Sequence, residues 1–421
     1  MYNKGLTLEQ APPEDIPIRF FLTAPLFGIL TGILLFWKGK LLMSTNWSFQ
    51  TVALTHTITL GWTLFVMIGA YYQMVLVLVG GQVAFVTKAR WVHALLLIGV
   101  GLFLYGMYFF EVLILKVSGF ILAITLLFFV FQVSVALFRV KADRPTIIGL
   151  RISVLSLLVS LLLGFMFVLS FSGMFQIPFD RLTWKTVHIL FALFGWIVGL
   201  IISVGIHVIP MFYLTPSFPV KIAKWILYGL LFSLVAISIS LFLHAPTIIK
   251  VFVALPGVGG ISFFIYEILY LLKNRKRKLI DTNIRFWQIG LINLFFSMLL
   301  FLLYVVTSNE KFAFLFGITF LIGFALSITS GMLYKIVPFL IWLHRFSPLI
   351  GKVKTPLMQD ICSDESARNH WRLFLFSYAC ILVGYAVNME MFLQLGGTLL
   401  SLASAYFLAL LIKAVRIRLP A

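Results

Sequence analysis

The sequence predicts an all-α fold: a polytopic membrane protein of twelve transmembrane helices in three four-helix pseudo-repeats. Three observations carry this. Of 421 residues, 62% are hydrophobic and 11% charged, and mean hydropathy is +1.09, more apolar surface than a soluble domain needs. Apolar runs of the roughly 20 residues that cross a bilayer recur from end to end. One phrase also recurs, at intervals of about 130 residues. Gly61-Trp62 is followed by Gly69 and Gln73, Gly195-Trp196 by Ser203, His207 and Pro210, and Gly323-Phe324 by Gly331, Lys335 and Pro338, at matching offsets.

The elements follow in order. A polar tail rich in proline precedes span 18–36 and lacks the charged-then-apolar pattern of a signal peptide. Spans 50–79, 91–110 and 112–138 complete the first pseudo-repeat, 18–138. Spans 147–172, 184–213, 223–243 and 248–272 make the second, 147–272. Spans 285–307, 311–343, 371–388 and 391–413 make the third, 285–413. The second, sixth and tenth spans are the longest, with length to tilt or to extend beyond the bilayer. Pro210 and Pro338 are expected to mark helix ends, because proline cannot continue the hydrogen-bond ladder. The longest connection, roughly 344–370, reads as a structured connector holding Asp360, Asp364 and Glu365.

Lys and Arg concentrate in the loops on the side that carries both termini. The positive-inside rule then puts both termini in the cytoplasm, with the chain in the cell inner membrane. Spans two, six and ten run in one direction, as three parallel modules require. The cluster KNRKRK at 273–278 reads as a topology anchor that also suits anionic lipid head groups at the inner face. A net charge of +19 would suggest nucleic acid in a soluble protein. Here it lies in short loops between spans, so the bilayer is the partner and nucleic acid is excluded. Cys362 and Cys380 form no CxxC, which excludes a cysteine zinc site.

The chemistry-bearing residues are histidines. His56 and His188 lie near the outer ends of spans two and six. A polar ring at membrane depth is costly without a partner and is a functional candidate by default. Imidazole ligates both heme iron and copper, so both rings are candidate cofactor and metal ligands. The competing reading is a hydrogen bond to a neighbouring helix. The tryptophans and glycines beside them are expected to let a flat group approach the backbone. His244, at the outer end of span seven, is a third metal candidate, with a solvated loop as its alternative. Gln73, His207 and Lys335 occupy equivalent inner positions and form a candidate polar site, with snorkelling to the interface as the bland reading for Lys335. His93, His344 and His370 fit interfacial roles. Glu267 is the most embedded carboxylate. No nucleotide loop, serine nucleophile motif or HExxH is present, and no catalytic residue is assigned.

The phrase HTITLGWTLFVMIGAYYQMV resembles subunit I of the heme-copper oxidases and their nitric oxide reductase relatives. The chain is also similar to the NnrS family, twelve-span proteins associated with heme, copper and nitric oxide stress. The resemblance spans the whole chain in helix number and modularity, and spans two and six in motif. It implies His56 as a heme ligand and His188 as a copper ligand. The family's paired histidines in helices seven and ten are missing here, with His244 alone at the end of span seven. Oxidase chemistry is therefore not expected. The expected function is binding of heme b and/or copper near the outer face, in nitric oxide stress, electron transfer or metal handling, with a respiratory or redox partner. The alternatives are a membrane transporter and a cofactor-free scaffold subunit of the same fold.

Overall fold

A computed structural model describes residues 12–45, 48–75, 83–276 and 281–417. The N-terminal tail to residue 11, the predicted end of span two beyond residue 75, residues 277–278 of the basic cluster and Arg418 lie outside the described residues. Among the described residues there is no strand. The long helices are α1 (Asp15–Leu42), α2 (Phe49–Met74), α3 (Val86–Phe109), α4 (Val112–Arg139), α5 (Pro145–Phe171), α6 (Arg181–Tyr213), α7 (Val220–Phe242), α8 (Thr247–Lys273), α9 (Thr282–Thr307), α10 (Glu310–Leu349), α11 (Asp364–Ala386) and α12 (Glu390–Val415). Eleven of them are long and apolar enough to cross a membrane. The exception is α11, which opens on the polar stretch DESARNHWR. The chain is thus an all-helical, membrane-embedded protein.

Contacts divide the chain into two compact units. Unit 1 comprises Met1–Gln73, Met107–Phe109 and Leu279–Ala421; unit 2 comprises Met74–Gly106 and Phe110–Lys278. In unit 1, α1 packs along α12, α12 along α11, and α9 along α10. Small residues let the backbones close: Gly28 lies against Ser404, and Gly32 against Gly397 and Ser401. Ser401 Oγ then donates to Ile29 O at 3.0 Å. In hydrocarbon such close packing and interhelical bonding replace the hydrophobic drive available in water. In unit 2, α5 packs on α4 and α6, and α7 on α8. There Ser233 Oγ donates to Val253 O and accepts from the Gly257 N–H, both at 2.8 Å.

The opening pair of each repeated phrase lies in π-helical backbone: Thr57–Thr63 in α2, Phe191–Val198 in α6 and Ile318–Leu326 in α10. The glycines explain why. A Cβ on Gly61 would overlap Phe27 of α1, one on Gly195 would overlap Ser156 of α5, and one on Gly323 would fall 2.6 Å from Asn293 of α9. Farther along, Gly69 meets Phe20, Ser203 meets Gly149 and Gly331 meets Phe286. On α1, α5 and α9 these contacts are seven residues apart; on α2, α6 and α10 they are eight. One extra residue is what a π turn inserts. It keeps both small residues on the face of the preceding helix. These three helices are also the most enclosed, with 72%, 78% and 72% of their most apolar window buried against 28–56% elsewhere.

A second device recurs at the following turns. The N–H of Glu111 bonds Gly106 O, that of Ala245 bonds Ser240 O, and that of Met389 bonds Gly384 O. The residues just before, Phe110, His244 and Asn388, have φ of 55°, 49° and 56°. This is the Schellman ending of a helix, used at the close of α3, α7 and α11.

Several boundaries differ from expectation. Pro210 and Pro338 lie inside α6 and α10 rather than at their ends. Each removes one ladder bond, which packed neighbours tolerate in a membrane helix. The connector at 344–370 is shorter than expected. Residues Trp342–Phe346 continue α10 as a second π turn, a single turn covers Met358–Ile361, and α11 starts at Asp364. The Ser363 side chain caps α11 by accepting from the Ser366 N–H, and Asp364 and Glu365 occupy its first turn, where acids favour a helix start.

Candidate functional site

The Ser48 hydroxyl accepts from the Thr51 N–H and starts α2. His56 follows two turns later, as the last residue before the π segment, and is half-buried. Its Nδ1 lies 2.7 Å from Val52 O. A carbonyl only accepts, so Nδ1 carries the proton and the neutral ring has its lone pair on Nε2. In unit 2, Asp180 caps α6 through the N–H groups of Leu182 and Thr183. His188, also half-buried, holds Nδ1 at 2.9 Å from Ser160 O of α5, with Phe167 edge-on at 6.2 Å. A metal-ligating histidine characteristically holds its second nitrogen in such a bond. The neighbour-helix alternative therefore describes one nitrogen of His188, while His56 bonds its own helix. The two rings differ in register: His56 stands five residues before its glycine, His188 seven.

Other expectations fare differently. Among the described residues no three His, Cys, Asp or Glu side chains gather where they would hold a metal ion. The flat group expected over the repeated glycines does not fit there, because Phe27 fills the space at Gly61 and Ser156 that at Gly195. His244 is exposed and serves as the left-handed residue of its turn. The inner positions have three environments. Lys335 Nζ pairs with Asp281 Oδ2 at 2.7 Å, both about one-fifth exposed. His207 is exposed, within electrostatic range of Arg144. Gln73 is 1% exposed, and neither amide atom has a hydrogen-bond partner among the described residues.

Sequence reasoning missed a polar and aromatic core in unit 1. Trp62, 2% exposed, donates from Nε1 to Thr329 Oγ1 at 2.9 Å and stacks on Phe407 of α12. His370 of α11 lies parallel to the other part of that cluster, 4.6 Å from the Phe407 centroid, and its Nδ1 is 3.0 Å from Tyr334 Oη. His370 is 1% exposed, so it is a core residue and not the interfacial one expected. Its polar sequence neighbours hid this: α11 begins inside that polar stretch and turns His370 inward. Tyr378 of α11 donates to Asn293 Oδ1 beside Gly323. Asn283, 3% exposed, leaves both amide atoms without a partner among the described residues. No protein-family model matches this chain, and no curated protein does.

Proposed function

We propose that this chain is a heme-binding membrane protein of three pseudo-repeats, with His56 and His188 as axial ligand candidates. The observation that carries this is the shared state of the two rings. Each commits Nδ1 to a main-chain carbonyl, at 2.7 Å and 2.9 Å, which sets the tautomer with its lone pair on Nε2, as a ligating imidazole requires. Heme needs one or two such nitrogens, whereas a copper centre of three ligands has no matching cluster among the described residues. When bound, the heme would supply one-electron or diatomic-ligand chemistry; the protein would fix imidazole orientation and keep the site apolar. The resemblance to heme-copper oxidase subunit I and NnrS proteins agrees with this reading and suggests a role in nitric oxide stress or electron transfer with a redox partner. The repeat is supported by the π turns and contact registers common to the pairs α1/α2, α5/α6 and α9/α10. We place the chain in the inner membrane with both termini cytoplasmic, from the distribution of Lys and Arg.

The test is an absorption spectrum of protein expressed with heme and copper supplied, oxidised and reduced, with metal analysis on the same sample. A Soret band with stoichiometric iron is expected. Copper without a Soret band, or neither metal, would reject heme binding. A second reading, transport through unit 1, is favoured by one observation: the Lys335–Asp281 pair lies near the buried, unpartnered amide of Asn283, whose helix the pair joins to α10. Buried ionisable and polar groups line substrate paths in membranes. Uptake assays with Lys335→Met in liposomes would separate the two.

A further inference from the structure

We propose that one end of unit 2 is a binding surface for anionic phospholipid headgroups. Four connections meet there, and named bonds hold them together. Gln132 Nε2 of α4 donates to the carbonyls of Ala84 and Phe85, both at 2.9 Å, tying the chain before α3 to α4. Arg151 of α5 donates to Leu137 O at 2.8 Å and to Val140 O, closing the α4–α5 turn. Lys224 of α7 pairs with Asp143 of that turn. The N–H of Lys276 donates to Leu214 O at 3.1 Å, joining the chain after α8 to the α6–α7 turn.

This joined surface is cationic. Lys88, Arg139, Lys141, Lys221 and Lys273 are exposed on it. Asp143 is the one carboxylate among the described residues of these turns, and Lys224 already engages it. The helices α5 and α7 begin here, and the open N–H groups of a helix start favour anions. An apolar rim decides the class of partner. Phe85, Phe138, Leu214, Val220 and Trp225 are each more than half exposed beside these cations. A nucleic-acid duplex, with its bases stacked inside and phosphates outside, has no partner for such a rim. A phospholipid does: its acyl chains take the apolar side chains while lysine stems reach the headgroup phosphates. In unit 1, Arg19, Lys335 and Arg345 each pair with an acid, and the exposed Lys352 and Lys354 are followed closely by the exposed Asp360, Asp364 and Glu365, so the excess of positive charge is smaller there. The inference stands independently of heme.

The test uses the full chain in nanodiscs of equal parts phosphatidylcholine and phosphatidylglycerol, followed by native mass spectrometry of the lipid retained. The wild type is expected to retain phosphatidylglycerol preferentially. The variant Lys88→Gln/Arg139→Gln/Lys141→Gln/Lys221→Gln is expected to lose that preference by at least about tenfold, since each basic residue near an anionic surface adds to the attraction. The unit 1 control Lys352→Gln/Lys354→Gln, also exposed, should keep it. Brominated phosphatidylglycerol should quench the fluorescence that Trp225→Phe removes. Should the variant fail to fold, wild-type retention that is insensitive to salt would count against the proposal. Equal loss in the control, no preference in the wild type, or displacement of the lipid by a DNA duplex at physiological salt would overturn it.

Discussion

Unit 1 and unit 2 use one helix-pair register for opposite chemistry. In unit 1 polar side chains meet one another in the interior: Trp62 with Thr329, Tyr334 with His370, and Tyr378 with Asn293. In unit 2 the long-range bonds of the larger polar side chains run mostly to main-chain carbonyls, Gln132 to Ala84 and Phe85, Arg151 to Leu137 and His188 to Ser160, a mode that unit 1 leaves largely to serines such as Ser377 and Ser401. Side-chain bonds to the backbone tie loops and helix ends. Bonds between side chains within a core specify one packing and carry chemistry. The contrast teaches that the repeated glycines determine how helices pair, while the residues around them determine what each unit does.

The largest expected effect breaks the shared register. Gly61→Leu, Gly195→Leu or Gly323→Leu drives a side chain into Phe27, Ser156 or Asn293. Overpacking costs roughly 1–3 kcal/mol for added methylenes, and a branched side chain where even a Cβ is excluded should reach the top of that range. Gly317→Ala, with nothing near its Cβ, is the control. Thermal unfolding in detergent is expected to show all three leucine variants well below the control. A single tolerant site would break the equivalence.

Next is Arg345, which grips Glu14 with two nitrogens, at 2.9 Å and 2.7 Å, and donates to Val415 O at 2.7 Å. It joins the start of α1 to the ends of α10 and α12. Both partners are about one-quarter to one-third exposed, so Arg345→Ala should cost about 2 kcal/mol, below a fully buried pair. Arg151→Ala in unit 2 breaks no ion pair, removing bonds to carbonyls and a contact with the Phe138 ring 5.3 Å away, and should cost about 1 kcal/mol. Equal shifts in melting temperature would erase that difference between the units.

Smaller still, Trp62→Phe keeps most of the stacked area and loses the bond to Thr329, whose hydroxyl still donates to Ala325 O. About 1 kcal/mol is expected. The last effect is one of reactivity. Burial, with the Asp364 carboxylate adding to it and Lys413 opposing, pushes the Cys362 thiol up to about 11. The thiolate is the nucleophile. In a Cys380→Ala background, iodoacetamide should label the folded protein slowly at pH 8 and faster toward pH 11. Labelling that has already levelled off by pH 9 would contradict that enclosure.

Much of this was legible in the primary structure. The repeated Gly-x7-Gly/Ser spacing was visible, but its π-helical register was not, because the seven-residue interval on the facing helix emerges only once the helices are paired. Eleven of the twelve expected spans were legible as apolar lengths that cross a membrane, α11 being the exception because of its polar start. His56 and His188 were visible as costly polar rings. His370 was not, because polarity along the chain says nothing about which face of α11 turns inward. Gln73 and Asn283 illustrate the same gap: an amide at a helix end reads as interfacial until burial is known. The glycine space assigned to a flat group was misread because Phe27, 34 positions earlier, fills it.

The most direct measurement is the reduced-minus-oxidised spectrum of His56→Ala and His188→Ala beside the wild type, with pyridine hemochrome quantification. The account predicts a Soret band in the wild type that shifts or disappears in at least one of the two variants while both remain folded and monodisperse. The unit carrying that histidine then holds the heme. A wild type without a Soret band, or one unaltered in both variants, would contradict the account.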